Sequence, residues 1–479
     1  MGGSLNKIIF SVAAFAYGLF SVIVHGMVAI KRGLFFTKRT EKEDLELQLA
    51  RDRFWNLSRT FSGLSHHFLT LPSGFKFHFV SNEIPSSPAV LSSNKPLVIF
   101  IHGFPDSWAE WRHIIALPDL QNVATLVAID LPGYGGTQSL ERYSATNILE
   151  KLTEFIVTLR TQYGVDDSSE SNKKRTIVVS HDWGCMLSMR LASEAPSLAH
   201  RFILSNAPLP SLAKSNIRRY ISSAQKMFNT ALGSPLHARA PLLQSLRTLS
   251  PLFRQLVSSG YVFAIQMPTL VARYYLTGGN HSLMKAIHKI AHGRSEYTTV
   301  DAAESMASSM GPSLAESKTK TANGETYPTT IKYDSEFANI MGPASYYRQG
   351  GGVGRWHKSL ETITALHGLA GGNELRRTSS GQGLFDEGAP GVLRASSTVL
   401  WGEKDSALNL NVCLDGIADY LVHGSQVVML PETGHWTPVE VESRAAITKA
   451  VQWSIEGEQG DVGAAIQAVY PSAKVTAHR

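Results

Sequence analysis

Three residues in this chain have the types and surroundings for nucleophilic catalysis: Asp182, Asp405 and His435. Asp182 lies in Thr176-Ile-Val-Val-Ser-His-Asp-Trp-Gly184, an apolar, β-branched run leading into a turn and then a helical pattern beginning near Gly184. Small residues on either side of a central nucleophile suit a strained strand-to-helix turn, whose backbone leaves no room for larger side chains. Asp405 ends Trp401-Gly-Glu-Lys-Asp405 after a second strand pattern, and His435 sits in Gly434-His-Trp436 after the last. A carboxylate nucleophile, a histidine to activate water and a second carboxylate to orient that histidine would make a complete set for covalent hydrolysis. Singly, Asp182 reads as well as an acidic helix cap, Asp405 as a turn residue and His435 as a surface histidine. Their order along the chain, and the position of each after a strand, favour the joint reading.

The stretch Phe100-Ile-His-Gly-Phe-Pro-Asp-Ser-Trp108 supplies another part, a strand ending in His-Gly-x-Pro where a backbone N–H can face a reacting centre. The amides of Phe104 and Trp183 are the expected oxyanion hole, while His102 reads as a structural residue.

The elements that must position these residues follow from hydrophobic periodicity. His66–Val80 reads as a hairpin over Pro72-Ser73-Gly74, and Leu97–Ile101, Ala124–Ile129, Thr176–Ser180 and Arg201–Ser205 as buried strands. The pattern resumes at Ser397–Trp401 and Gln426–Leu430. Strands alternating with helical segments predict an α/β fold, a mostly parallel sheet with helices on both faces. The block between reads as helix from Leu212 to His292 and then as loop, with linker-like stretches at Asp301–Thr330 and Gly368–Gly391. The expected organisation is a core over residues 60–208 and 396–456, an inserted helical cap over 209–395, and a C-terminal tail over 457–479.

Ahead of the core, residues 8–30 run without Asp, Glu, Lys or Arg, about the ~20 residues that span a bilayer as a helix. Basic residues follow at Lys31-Arg32 and Lys38-Arg39, so the positive-inside rule puts the catalytic body in the cytoplasm of a single-pass protein, with the endoplasmic reticulum as one candidate membrane. Residues 31–59 read as a juxtamembrane segment. Because the core strands begin after residue 60, the anchor is expected to be dispensable for chemistry. The net charge of +6 owes much to residues 1–60, with nine Lys/Arg against five Asp/Glu. That surplus flanks the apolar run and does not describe a nucleic-acid-binding surface. Two cysteines, Cys185 and Cys413, are too few for a disulfide framework or a structural zinc site, and a reducing compartment fits.

Together these motifs resemble the α/β-hydrolase-fold epoxide hydrolases. The likeness lies in His102-Gly-Phe-Pro-Asp-Ser-Trp108 with Trp111-Arg112, Asp130-Leu-Pro-Gly-Tyr-Gly-Gly136, His181-Asp-Trp-Gly184 and the loops of Asp405 and His435. Ser180 and Cys185 depart from the family's usual glycines, and the long cap stretches exceed a minimal member. Cap tyrosines are implied by the resemblance alone: Ser345-Tyr-Tyr-Arg348 makes Tyr347 one proton donor, and Gly260-Tyr-Val-Phe-Ala-Ile-Gln-Met-Pro268 makes Tyr261 the other. Tyr274-Tyr275 is the competing pair.

An aspartate attacking an acyl carbon would give an anhydride, whereas attack on a saturated carbon gives a hydrolysable alkyl ester. That leaves epoxides and alkyl halides as substrates. An epoxide oxygen departs as a basic alkoxide and needs a donor, which phenols supply, while a dehalogenase would put a halide-binding Asn where Phe104 stands. The expected function is therefore hydrolysis of small lipophilic epoxides by water, with no metal or organic cofactor and with the membrane, through the N-terminal helix, as a partner. A catalytically silent tethered homologue is the non-enzymatic alternative. Arg376-Arg-Thr-Ser379 is a candidate kinase site.

Overall fold

In the computed structural model, which describes residues 2–34, 38–166, 174–233, 239–331, 339–369 and 391–478, the apolar runs assemble into one nine-stranded sheet. Its strands are β1 (Ser65–Thr70), β2 (Lys76–Ser81), β3 (Leu97–Ile101), β4 (Thr125–Ile129), β5 (Thr176–His181), β6 (Arg201–Ser205), β7 (Ser397–Gly402), β8 (Gln426–Leu430) and β9 (Lys474–His478). The spatial order is β1-β2-β4-β3-β5-β6-β7-β8-β9. Strands β3 to β8 pair in parallel, and β2 and β9 join antiparallel at either side. Every residue of β3, β4, β5 and β6 is buried, as expected of strands covered on both faces, and this accounts for their unbroken apolar and β-branched sequences.

Three expectations are corrected. The segment 31–59 is no simple tether, because it contains helix α2 (Glu41–Trp55), whose Leu47, Ala50, Phe54 and Trp55 are buried. α2 was obscured in the sequence by its charge, yet it is capped by Thr40 and Glu43, and it ends in the buried Phe54 and Trp55. The tail over 457–479 completes the sheet: a short helix over Val462–Gln467 leads to β9, which pairs with β8. The linker-like 301–330 stretch begins as helix, part of Thr299–Met310, held to α2 by Trp55 Nε1 donating to the Ala307 carbonyl at 2.8 Å and by Arg53 pairing with Glu304. Alanine and serine gave that segment a loop-like composition, but those small side chains allow close helix contact. The proposed kinase site at 376–379 lies outside the described residues.

The apolar run forms helix α1 (Gly2–Lys31), which is packed against the rest of the chain. α1 docks on the cap: Tyr17 Oη donates to the Leu256 carbonyl at 2.9 Å, and His25 Nδ1 lies 2.7 Å from Tyr275 Oη. Gly18 permits the approach, since a Cβ there would come within 2.6 Å of the Phe263 carbonyl oxygen. Behind the nucleophile, helix α3 covers Asp182–Glu194. The cap contributes α4 (Pro210–Gly233), α5 (Arg239–Ser258), α6 (Gly260–Ile265) and α7 (Thr269–Ala291). α8 is the Thr299–Met310 helix, and α9 spans Met341–Arg348. α7 is broken at Gly278–His281, where Gly279, Asn280 and His281 take positive φ.

Candidate active site

Asp182 stands where β5 turns into α3, and its φ of +47° is the strained conformation that the small-residue pattern foretold. Two glycines make room for it. A Cβ on Gly103 would collide with the Asp182 side chain, and one on Gly184 would collide with the His102 carbonyl. The turn aims the carboxylate at the loop after β3, where the Phe104 N–H donates to Asp182 Oδ1 at 2.8 Å. Trp183 follows in the first turn of α3, whose leading amides have no partner within the helix. Both amides expected to form an oxyanion hole therefore flank the nucleophile.

His435 comes from the loop after β8. Its Nε2 is 3.4 Å from Asp182 Oδ2 and its Nδ1 is 2.8 Å from Asp405 Oδ2. Asp405, in the loop after β7, is fixed by amides of Ala407 and Leu408 on Oδ1, at 2.7 and 2.8 Å, and by Asn206 Nδ2 on Oδ2 at 2.8 Å. Burial alone would favour neutral forms, but the group is a string of alternating charges. Burial pulls the His435 pKa down, yet the carboxylates of Asp405 and Asp182 outweigh it and hold the imidazole well above its ordinary value. Burial would raise Asp182, but the hydrogen bond and charge of His435 keep its carboxyl below the usual range. Asp405 is lowered likewise, mainly by His435 against burial.

The cap closes over this floor. Tyr261 in α6 and Tyr347 in α9 line cavities that also contain Asp182, and their rings meet edge to face with centroids 5.8 Å apart. Tyr347 also packs edge-on against Phe104 and Trp183, at 5.2 and 4.9 Å. Burial, reinforced by the Asp182 charge, pushes both phenols above their ordinary pKa, so both stay protonated and able to donate. The competing Tyr274 is 62% exposed and does not border the cavities containing Asp182, while Tyr275 is engaged by His25.

Sequence reasoning missed the residues that hold these parts in register. Arg348 Nη1 donates to the carbonyls of Ile265 and Met267, each at 2.6 Å, and Gln266 Nε2 donates to the Tyr347 carbonyl at 2.5 Å, so the two tyrosine segments are tied together. Glu110 accepts from the Gly103 amide at 3.0 Å and pairs with His181 Nδ1 at 2.6 Å. His181 Nε2 in turn reaches the His435 carbonyl at 2.8 Å. Asn206, which supports Asp405, has a φ of +44° directly after β6. An asparagine at a strand end is the one local signal that would have marked it. His102 has the structural place expected of it: Nδ1 faces the Gly103 carbonyl at 2.8 Å and Nε2 accepts from the Leu131 amide at 3.0 Å. Among the described residues, no group of three or more His, Cys, Asp or Glu is arranged to hold a metal ion.

Known proteins resemble this chain in sequence and in fold. Epoxide hydrolase 3 of Mus musculus is 23% identical over 385 residues, 78% of this chain and 74% of that relative. Epoxide hydrolase 3 of Xenopus tropicalis is 32% identical over 142 residues, 29% of this chain and 33% of that relative, so this alignment spans about a third of it. The Cif epoxide hydrolase of Acinetobacter nosocomialis has the same fold, with a TM-score of 0.50 at 15% identity over 87% of this chain and 96% of that one. The relatives are thus epoxide hydrolases, the group whose motifs the sequence carries. A family model described as alpha/beta hydrolase fold matches residues 96–440, which include Asp182, Asp405 and His435, and the chain belongs to that family.

Proposed function

We propose that this protein is an epoxide hydrolase that forms vicinal diols through an alkyl ester on Asp182. The observation that carries the reading is the pairing of an aspartate nucleophile with two protonated phenols across one cavity. With Oδ1 held by the Phe104 amide, Oδ2, which faces His435 Nε2 at 3.4 Å, attacks an epoxide carbon. The new C–O bond forms as the ring C–O bond breaks, and Tyr261 or Tyr347 gives its proton to the departing oxygen. His435 Nε2 then takes a proton from water, which adds to the ester carbonyl carbon. The developing charge falls on Oδ1 beside the amides of Phe104 and Trp183. Collapse expels the diol oxygen, which recovers the proton from His435; the proton left on the Asp182 carboxyl restores the phenol, and Asp405 holds the imidazole throughout.

The charge string supplies a switch between the steps. While Asp182 is ionised it helps keep His435 protonated; esterification removes that negative charge and lowers the imidazole pKa, favouring the neutral form that can take a proton from water. A haloalkane dehalogenase would share the triad, but phenols facing the nucleophile serve an alkoxide better than a halide.

The reading includes the division into core, 60–208 with 396–456, and cap, 209–395. It also includes membrane attachment through residues 8–30, with the catalytic body in the cytoplasm. Support for attachment comes from the outer face of α1, where Phe10, Val12, Phe15, Phe20 and Met27 are exposed. A single turnover in heavy-oxygen water tests the mechanism: the first diol should carry unlabelled oxygen from Asp182 while the label enters the protein. Immediate labelling of the diol would show direct attack by water.

A further inference from the structure

The inner cavity that holds Asp182, Tyr261, Tyr347 and His435, about 210 Å³, is walled in part by His25 of α1 and Leu283 of α7. A second cavity of about 170 Å³ lies farther out, between the same two helices, and it too is bordered by His25 and Leu283. Its other lining includes Val22, Gly26 and Ala29 from α1 and Tyr275 and Ala286 from α7. The same two residues, one of the apolar helix and one of the cap, therefore stand between the two spaces. His25 is hydrogen-bonded to Tyr275, which borders the outer cavity, and the break in α7 at Gly278–His281 separates Tyr275 from Leu283.

Arg32 and Ser282 also line the outer cavity, but the exposed side chains around it are apolar on both helices. Leu270 and Tyr274 are exposed at the start of α7, Phe253 and Val257 on α5, and Ile23, Met27 and Ile30 on α1. Contact between α1 and the cap runs from Tyr17 to His25, about 12 Å along the helix axis. A helix that sits in hydrocarbon while packed along that length must bring the cap's exposed apolar residues to the same depth.

We propose that lipophilic substrates reach Asp182 from the bilayer, through the passage between α1 and α7, with His25 and Leu283 as its neck. α1 is then a wall of the substrate path and sets a preference for long apolar epoxides over small water-soluble ones. This rests on the reading of α1 as a membrane helix and of the Asp182 site as epoxide-opening. Long chains concentrate in the bilayer and meet the outer cavity without crossing water.

Gly26 offers a clean probe, since a Cβ there meets no atom within 4 Å and points beside the outer cavity. Full-length protein in phosphatidylcholine vesicles would be photolabelled with a diazirine-bearing alkane dissolved in the lipid. The expected result is label on Leu283 and Ile287, reduced roughly tenfold by Gly26→Phe and unchanged by Met27→Phe on the lipid-facing side of the same turn. Absence of label at Leu283 and Ile287, or equal labelling of the two variants, would overturn the passage. In the same vesicles Gly26→Phe should raise KM for a long-chain terminal epoxide far more than for styrene oxide, with kcat little changed. An equal effect on both substrates would again overturn it. Labelling reads binding without turnover, so labelling as expected with no diol from either substrate would sink the epoxide reading and leave the passage standing.

Discussion

The floor and the roof of the active site are built by different means. On the floor, Asp182 directly follows β5 while Asp405 and His435 lie in the loops after β7 and β8, with β6 between, so the parallel sheet sets their separation and backbone amides fix their carboxylates. On the roof, Tyr261 and Tyr347 come from cap helices far apart in sequence, and their positions depend on Arg348, Gln266 and the docking of α1. A floor made by register tolerates little change and works as a unit. A roof made by side-chain ties should lose function by degrees.

Asp182→Asn tests the floor with the largest effect. Diol formation should fall on the order of 10⁴-fold or more, and no covalent adduct should be visible by mass spectrometry. His435→Gln should instead trap an adduct on the Asp182 peptide, because alkylation survives while ester hydrolysis loses its base. On the roof, replacing both Tyr261 and Tyr347 by Phe should slow single-turnover alkylation by ~10²–10⁴-fold, each single change costing less. An unimpaired double variant would break the comparison by removing the roof from the chemistry.

A pH series sharpens it further. The Asp182 pKa is held low, so the nucleophile stays ionised in mild acid. The His435 base must be neutral to take a proton from water, so hydrolysis should fall by about tenfold per pH unit below its pKa in the ester. Adduct should therefore accumulate as pH falls, measured by rapid acid quench and peptide mass. Stable diol formation with no adduct at low pH would count against His435 as the base. The smallest expected effect belongs to Arg348→Met. Loosening the tie between α6 and α9 should lower the alkylation rate by roughly tenfold through misplaced phenols, with little change in the hydrolysis of preformed adduct.

The split between floor and roof also separates what could be read from the chain. Strands β1 to β8 announced themselves through short apolar and β-branched runs, and the small residues around Asp182 announced the turn. The cap tyrosines carried no such mark. A tyrosine in a helix looks the same whether it packs or donates, and only the resemblance to a family singled out Tyr261 and Tyr347. β9 was missed because an edge strand with exposed side chains has no buried run to reveal it.

What the sequence by itself determined is therefore local: the sheet-forming segments, the strained nucleophile turn, the order of the triad and the apolar run at residues 8–30. Each depends on residues a few positions apart, whose periodicity or size the chain displays directly. Tertiary structure alone decided which partners secure them, because Asn206 with Asp405, Glu110 with His181, and Arg348 with the Ile265 and Met267 carbonyls are pairings across long separations. It also turned an apparent tether into part of the roof. Gly18 and His25 of α1 read as features of an apolar span until the fold brings Phe263 and Tyr275 against them, since a contact between residues some 250 positions apart leaves no trace in local sequence.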